Sequence, residues 1–329
     1  MKRLVSLKDH PSIEGYDFEQ EFDFDKFIDS FYTTAFQASH LARGIDIINQ
    51  MIESKATIMM SFTANAISSG IREIIKFLVK HKYVSAITTT AGGIEEDVIK
   101  TLKPFKLGSF EAPGEVLFNS GVGRIGNIFV PNDRYLYFER FMNPFFNKIY
   151  KMEKASGKPL TPSNFTYELG KYINDESSYL YWAAKNNIPV FCPGLTDGAI
   201  GDLFYFQKRR VPDFYIDIVG DHKKIVDFIF AQEKIGAIIL GGGIAKHYLL
   251  NANIFREGVD FAVYITTAQE FDGSDSGGNE EEAKTWAKIK CNAPTIKIKS
   301  EITLAFPLIV AATFAKDFHS KQKKKQNNR

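Results

Sequence analysis

The chain has 329 residues, of which 44% are hydrophobic and 24% charged, a balance that excludes a largely disordered protein. Its 41 Lys and Arg nearly cancel 39 Asp and Glu, so no global charge points to nucleic acid. Two cysteines, Cys192 and Cys291, are too few for a disulfide framework and fit a reducing, cytoplasmic setting.

Residues 1–10 lack the apolar core of a signal peptide, and residues 1–22 read as an N-terminal extension. Phe27, Phe31, Phe36, Leu41, Ile45, Ile48 and Met51 recur at helical spacing and predict a helical layer over residues 23–54, although Gly44 argues against one unbroken helix. Residues 56–63 then read as a strand, 68–81 as a helix and 84–89 as a strand leading into Ala91-Gly92-Gly93. Residues 140–175 are the least regular stretch. Further on, residues 188–192, 214–219, 236–240 and 262–266 read as strands, with helices over 176–185, 222–232 and 245–253.

Strands alternating with helices predict an α/β fold: a Rossmann-like, mostly parallel sheet flanked by helices, with the N-terminal helical layer packed on it. A single catalytic domain over residues 23–318 is expected, with no internal boundary. The basic run within residues 319–329 is expected to be a solvated, disordered tail. The longest apolar run, residues 304–315, contains Pro307 and is too short to span a bilayer, so no membrane is expected. Cys192 lies in an apolar run, which predicts a buried thiol.

Parallel sheets bind ligands beyond the carboxyl ends of their strands. Gly121-Val122-Gly123-Arg124-Ile125-Gly126 matches a dinucleotide fingerprint on paper, but the segment after it reads as a strand rather than a helix, so a turn between extended segments is expected. Gly241-Gly242-Gly243 is better placed, between a strand and a helix, as is Thr88-Thr89-Thr90-Ala91-Gly92-Gly93. Carboxylates crowd the same strand ends: Asp197 and Asp202, then Glu270, Asp272 and Asp275, then Glu280, Glu281 and Glu282. Singly, each segment is an ordinary turn or acidic helix start. Together, with Trp286 four residues after Glu282, they suit an extended polycation such as a polyamine. Calcium is the competing ligand, but the loop at Asp272 lacks the twelfth-position Glu of an EF-hand, and no metal is expected. Lys288 follows Trp286, and a lysine in a buried patch loses its proton more readily and attacks imines.

The motifs Gly241-Gly242-Gly243-Ile244-Ala245-Lys246-His247, residues 267–277 and Glu282-Ala283-Lys284-Thr285-Trp286-Ala287-Lys288-Ile289 resemble the deoxyhypusine synthase family. So do Asn65-Ala66-Ile67-Ser68-Ser69-Gly70, Thr89-Thr90-Ala91-Gly92-Gly93-Ile94-Glu95-Glu96-Asp97 and Leu195-Thr196-Asp197-Gly198; the similarity runs over residues 15–314. The resemblance implies an NAD-dependent transferase. A hydride passes from spermidine to NAD, and Lys288 takes the aminobutyl group as an imine. That group is then delivered to one lysine of the translation initiation factor 5A precursor.

By position, the resemblance makes Lys288 the nucleophile and His247 an acid–base group beside the spermidine amine, which suits an imidazole. It gives spermidine Glu95, Glu96, Asp202, Asn251, Gly273, Ser274, Asp275, Glu282 and Trp286. It gives NAD Asn65, Ser68, Thr90, Ala91, Gly92, Glu96, Asp197, Gly242, Thr267, Ala268, Asp272 and Glu301. It also implies a homotetramer with sites shared between paired subunits. Ala64 stands where relatives often have Ser, and Glu301 where eukaryotic relatives have Asp. Transfer to putrescine, as in a homospermidine synthase, is the alternative that the motifs leave open. An inactive paralogue is disfavoured by the presence of Lys288 and His247.

Overall fold

A strand buried on both faces needs an apolar run rather than an alternating one. Ile235–Leu240 is such a run, buried at every position in the computed structural model, which describes residues 7–8 and 10–327. It is one of six strands in the main sheet: β1 (Thr57–Phe62), β2 (Ala86–Thr89), β3 (Val190–Phe191), β4 (Ile235–Leu240), β5 (Phe261–Thr266) and β6 (Thr295–Lys299). All five pairings are parallel, in the order β3-β2-β1-β4-β5-β6. The order reverses between β1 and β4, where Met59 lies beside Ala86 on one side and Ala237 on the other. That crossover point is where doubly wound sheets hold their ligands.

Side chains alternate along each strand, so the sheet feeds two cores. Ile238 and Leu240 join Phe62, Ile48, Met51, Phe145 and Phe306 on one face. Ile235, Ala237 and Ile239 join Met59, Ile225 and Leu249 on the other. Cys192 is fully buried, as its apolar run predicts.

Several elements depart from the sequence reading. The N-terminal layer is two helices, Phe24–Thr34 and Phe36–Glu53, and it breaks at Ala35 (φ 77°) rather than at Gly44. Gly44 lies in mid-helix because a Cβ there would stand 2.8 Å from Ile298 Cδ1, so the helix packs close on β6. The stretch read as irregular holds two helices, Asp133–Ser156 and Pro162–Ile173, the first continuing through Pro144. Residues 214–219 form no strand: Ile216 makes a single bridge to Leu160, and the helix Ile218–Phe230 begins two residues later. Strand β6 was not anticipated. The Gly121–Gly126 segment, read as a turn between extended segments, is itself mostly strand: Val122–Ile125 follows the helix Gly114–Asn119 and pairs with Ile128–Pro131, and the positive φ of Gly121 (66°) and Gly126 (59°) puts the turns at its two ends.

The chain end is also a correction. The helix Ile302–Val310 passes through a π-helical turn, Ala311–Ala315, into the helix Lys316–Asn327, so the basic run is helical as far as it is described. Phe318 explains the ordering: its ring packs 5.5 Å from Phe77 and 4.4 Å from His81. Residues 302–327 are long and apolar enough to cross a membrane by composition alone. Phe306, Ile309 and Phe314 are nevertheless fully buried, which is the pattern of a core helix.

Two helices end alike. Helix Phe36–Glu53 closes with Ala56 N–H on Met51 O (2.9 Å), and helix Ile71–Lys80 with Tyr83 N–H on Leu78 O (2.9 Å). These are Schellman caps, and their left-handed positions are filled by Lys55 (φ 54°) and Lys82 (φ 59°). A side chain in that conformation costs roughly 1 kcal/mol.

Candidate active site

The crossover point gathers the starts of two helices. Helix Ala91–Leu102 begins after β2 and helix Gly243–Ala252 after β4, so both amino ends, with their free N–H groups, face the crevice. Gly241 and Gly243 (φ 86° and 62°) make the turn that glycine permits. Around Gly243 there is open space. Gly242 serves the protein's own packing, since a Cβ there would stand 2.6 Å from Ser276 Cα. Gly92 is likewise closed against Ala64.

Beside these turns, the buried Thr90 hydroxyl has no hydrogen-bond partner. Such an orphan is expensive unless a ligand meets it. Asn65 and Ser68 stand on the short helix Ala64–Ser68 after β1. The Ser68 hydroxyl donates to the Glu96 carboxylate, joining two residues 28 positions apart. Burial pushes Glu96 up to about 7; the Ser68 bond opposes this and the Glu95 charge adds to it. Burial also pushes Glu95 up, against the Ile200 N–H that it accepts at 2.9 Å, and the charges of Asp202 and Asp197 push it further. Glu95, Glu96, Asp197 and Asp202 thus form one acidic group at the β2–β3 side. Asp197 and Asp202 remain exposed.

The second acidic group follows β5. From Thr267 and Ala268 the chain enters a one-turn 3-10 helix, Glu270–Asp272, and turns at Gly273 (φ 69°). The Asp272 carboxylate accepts the Ser274 N–H at 2.7 Å. Three lysines pin this loop. Buried Lys297 donates to Gly277 O (2.6 Å) and Glu270 (3.1 Å), Lys299 to Glu270 (2.8 Å), and buried Lys246 to Gly278 O (3.0 Å) and the Asp275 carbonyl. The Lys299 bond first, then Glu270's own N–H and the Lys297 bond, hold Glu270 at about 2, well below the usual carboxylate range. Burial lowers the Lys246 ammonium. Sequence reasoning missed Lys246 and Lys297 as anchors; the one available signal was their placement, beside the triple glycine and in an alternating Thr-Ile-Lys-Ile-Lys run.

The pinned loop presents Asp275. One of its oxygens meets His247 Nδ1 at 3.0 Å; the other is buried without a partner. Asp275, Glu282, Trp286 and Lys288 line one cleft. Asn279 caps the helix Glu280–Thr285 that carries Glu282. Lys288 comes just past its end, fixed by a third Schellman cap: Lys288 N–H donates to Ala283 O (3.0 Å) and Ala287 is left-handed (φ 53°). The Lys288 carbonyl accepts the Val259 N–H at 3.1 Å, which ties it to the start of β5. Trp286 is 64% exposed, so the buried patch expected around Lys288 is not formed by this chain alone. Asn251 lies near the end of the glycine-turn helix, and Glu301, beyond β6, caps its own helix through Thr303 N–H at 2.8 Å. Among the described residues, no direct bond joins the β2–β3 group to the Asp275 group; the glycine turns lie between them.

Fold and site define a Rossmann-type α/β enzyme in which a glycine-turned crevice at the strand crossover adjoins an acidic cleft. The family model for deoxyhypusine synthase matches residues 26–313. Deoxyhypusine synthase of Musa acuminata is 47% identical, over 98% of this chain and 93% of its own length. That of Arabidopsis thaliana is 47% identical over 92% of this chain and 90% of its own. A solved Entamoeba histolytica structure assigned the same activity is 30% identical, with TM-score 0.61, covering 92% of this chain and 97% of that one. The chain belongs to the deoxyhypusine synthase family.

Proposed function

We propose that this chain is a deoxyhypusine synthase, which moves the aminobutyl group of spermidine onto one lysine of the translation initiation factor 5A precursor. The observation behind this reading is the convergence of His247, Asp275, Glu282, Trp286 and Lys288. A buried carboxylate oxygen without a partner, a second carboxylate and an indole face are what an ammonium group needs.

The crossover residues fit NAD. The orphan Thr90 hydroxyl and two helix amino ends suit its phosphates, and the carboxylate of Glu96 or Asp197 suits ribose hydroxyls. When bound, NAD supplies the acceptor for the hydride beside the secondary amine and returns it at the end, so there is no net redox change. The chain's own residues do the rest. Asp275 and Glu282 hold the amine ends and Trp286 covers the carbon chain. His247, oriented by Asp275, takes and returns the proton on the amine nitrogen. The Lys288 amine attacks the imine carbon, and the bond to diaminopropane breaks. The butyl group then sits on Lys288 as an imine until the acceptor lysine attacks the same carbon and frees Lys288.

We also propose a cytoplasmic homotetramer whose paired subunits complete each site. The support is the exposure of Trp286 (64%) and Phe271 (90%) beside the acidic loop, apolar surface that a second subunit would cover. Light scattering that gives a monomer at working concentration would remove this part. The activity itself is tested with enzyme, NAD and labelled spermidine, offered the factor 5A precursor or putrescine. Label in one precursor lysine is expected; label only in homospermidine would overturn the reading.

A further inference from the structure

The reaction uses the carboxyl ends of the strands. At the opposite end, where the chain enters β1 and β2, there is a cavity of about 360 Å3. Its floor is apolar and aromatic, from Met51, Ile58, Tyr83 and Phe318, and its rim is cationic, from Lys55, Lys82, Lys321 and Lys325. No carboxylate lines it. Asp317, next to the lining residue Phe318, is already engaged by the Tyr83 hydroxyl (2.6 Å) and Lys321 (2.6 Å). Among the described residues, Lys55, Lys82 and Lys325 have neither an ion pair nor a hydrogen bond through their ammonium groups.

Solvated surface lysines are common, and helix carboxyl ends attract cations. That accounts for a lysine somewhere in each last turn. It does not account for lysine at the left-handed position of both caps, converging on one cavity. Other helical ends here fill that position with Gly157, Asn174, Asn187, Glu257 and Ala287, so neither of these two caps requires a lysine. The three unpaired ammonium groups around one hollow repel each other, and an anion placed among them reverses the sign of the interaction.

We propose that this cavity binds a nucleoside polyphosphate, its phosphates on the lysine rim and its base against Tyr83 and Phe318. The volume suits a ligand of that size, lysine ammonium groups bind phosphate as point charges, and bases stack on aromatic rings. The site is separate from the proposed NAD crevice and is built from residues with no part in the transfer chemistry.

The test is calorimetric titration of ATP into the NAD-saturated enzyme, so that the dinucleotide crevice is filled, with tripolyphosphate and a short single-stranded RNA as separate titrants. Saturable ATP binding is expected, with tripolyphosphate weaker. The double variant Lys55→Gly/Lys82→Gly should bind ATP at least about tenfold more weakly. Its thermal midpoint should be unchanged or higher, because glycine suits both left-handed positions, and its spermidine transfer should be unchanged. No saturable heat with ATP, or equal affinity in the double variant, would overturn the proposal. Tripolyphosphate binding as tightly as ATP would overturn the nucleotide assignment, as would RNA binding more tightly than ATP through the same lysines.

Discussion

The two ends of the sheet carry opposite charge for opposite reasons. At the carboxyl ends, lysines are buried and consumed in pinning a loop, and an Asp275 oxygen is left unpaired. At the amino ends of β1 and β2, Lys55, Lys82 and Lys325 stand free around a cavity, and Lys321 is paired with Asp317. A net charge of +2 hides this, because a sum says nothing about segregation. Which member of an ion pair is left over decides what an end can bind.

The comparison breaks first at Lys288. Lys288→Arg should abolish transfer, a loss on the order of a thousandfold or more, because a guanidinium stays protonated and forms no imine. The fold should persist, since the side chain is half-exposed. Borohydride trapping should place the adduct on Lys288; an adduct on Lys246 or Lys284 would show the nucleophile is misassigned. Next, His247→Ala should slow transfer by about 10²–10⁴-fold. A rate within a few-fold of the parent would remove the imidazole from the proton transfers.

The acidic end carries a stability cost that pH exposes. Glu96 titrates near 7 in the folded chain, against an ordinary value near 4.5. The folded state therefore holds a proton that the unfolded state has released. Stability falls as pH rises from about 4.5 to 7, and the full cost remains above 7. Glu96→Gln should then stabilise the cofactor-free enzyme at pH 8 by on the order of 2–3 kcal/mol, and hardly at all at pH 4. Thermal midpoints at the two pH values decide; an equal gain at both would mean the carboxyl is not shifted. The smallest effect concerns Ala287. Ala287→Gly should change stability by less than about 1 kcal/mol, since relief of the left-handed strain offsets the added chain freedom. It should nevertheless slow transfer through a looser Lys288, visible in kcat more than in KM.

Much of this was legible in the sequence. Apolar runs marked β1, β2, β4 and β5, and strand-end carboxylates marked the acidic cleft before any geometry was known. Strand β6 was not recognised, because its lysines at 297 and 299 masked a run whose Ile296 and Ile298 are buried. Pro144 and a dense aromatic stretch disguised a 24-residue helix, since tertiary packing overrode local propensity. The helix break at Ala35 had no glycine to announce it. The anchoring roles of Lys246 and Lys297 depend on carbonyls about 20 to 32 residues away in sequence, a proximity no local pattern encodes.

The length of the strands has one more consequence. The six residues of β4 span roughly 20 Å at about 3.3 Å per residue. At physiological salt, charges in solvent stop sensing each other beyond about 8 Å. The acidic and basic ends are therefore insulated from one another, although one sheet carries both. Substitutions at the two ends should add, with a coupling energy near zero in a double-mutant cycle. The basic end is free to vary in evolution, or to be redesigned, without disturbing the catalytic end.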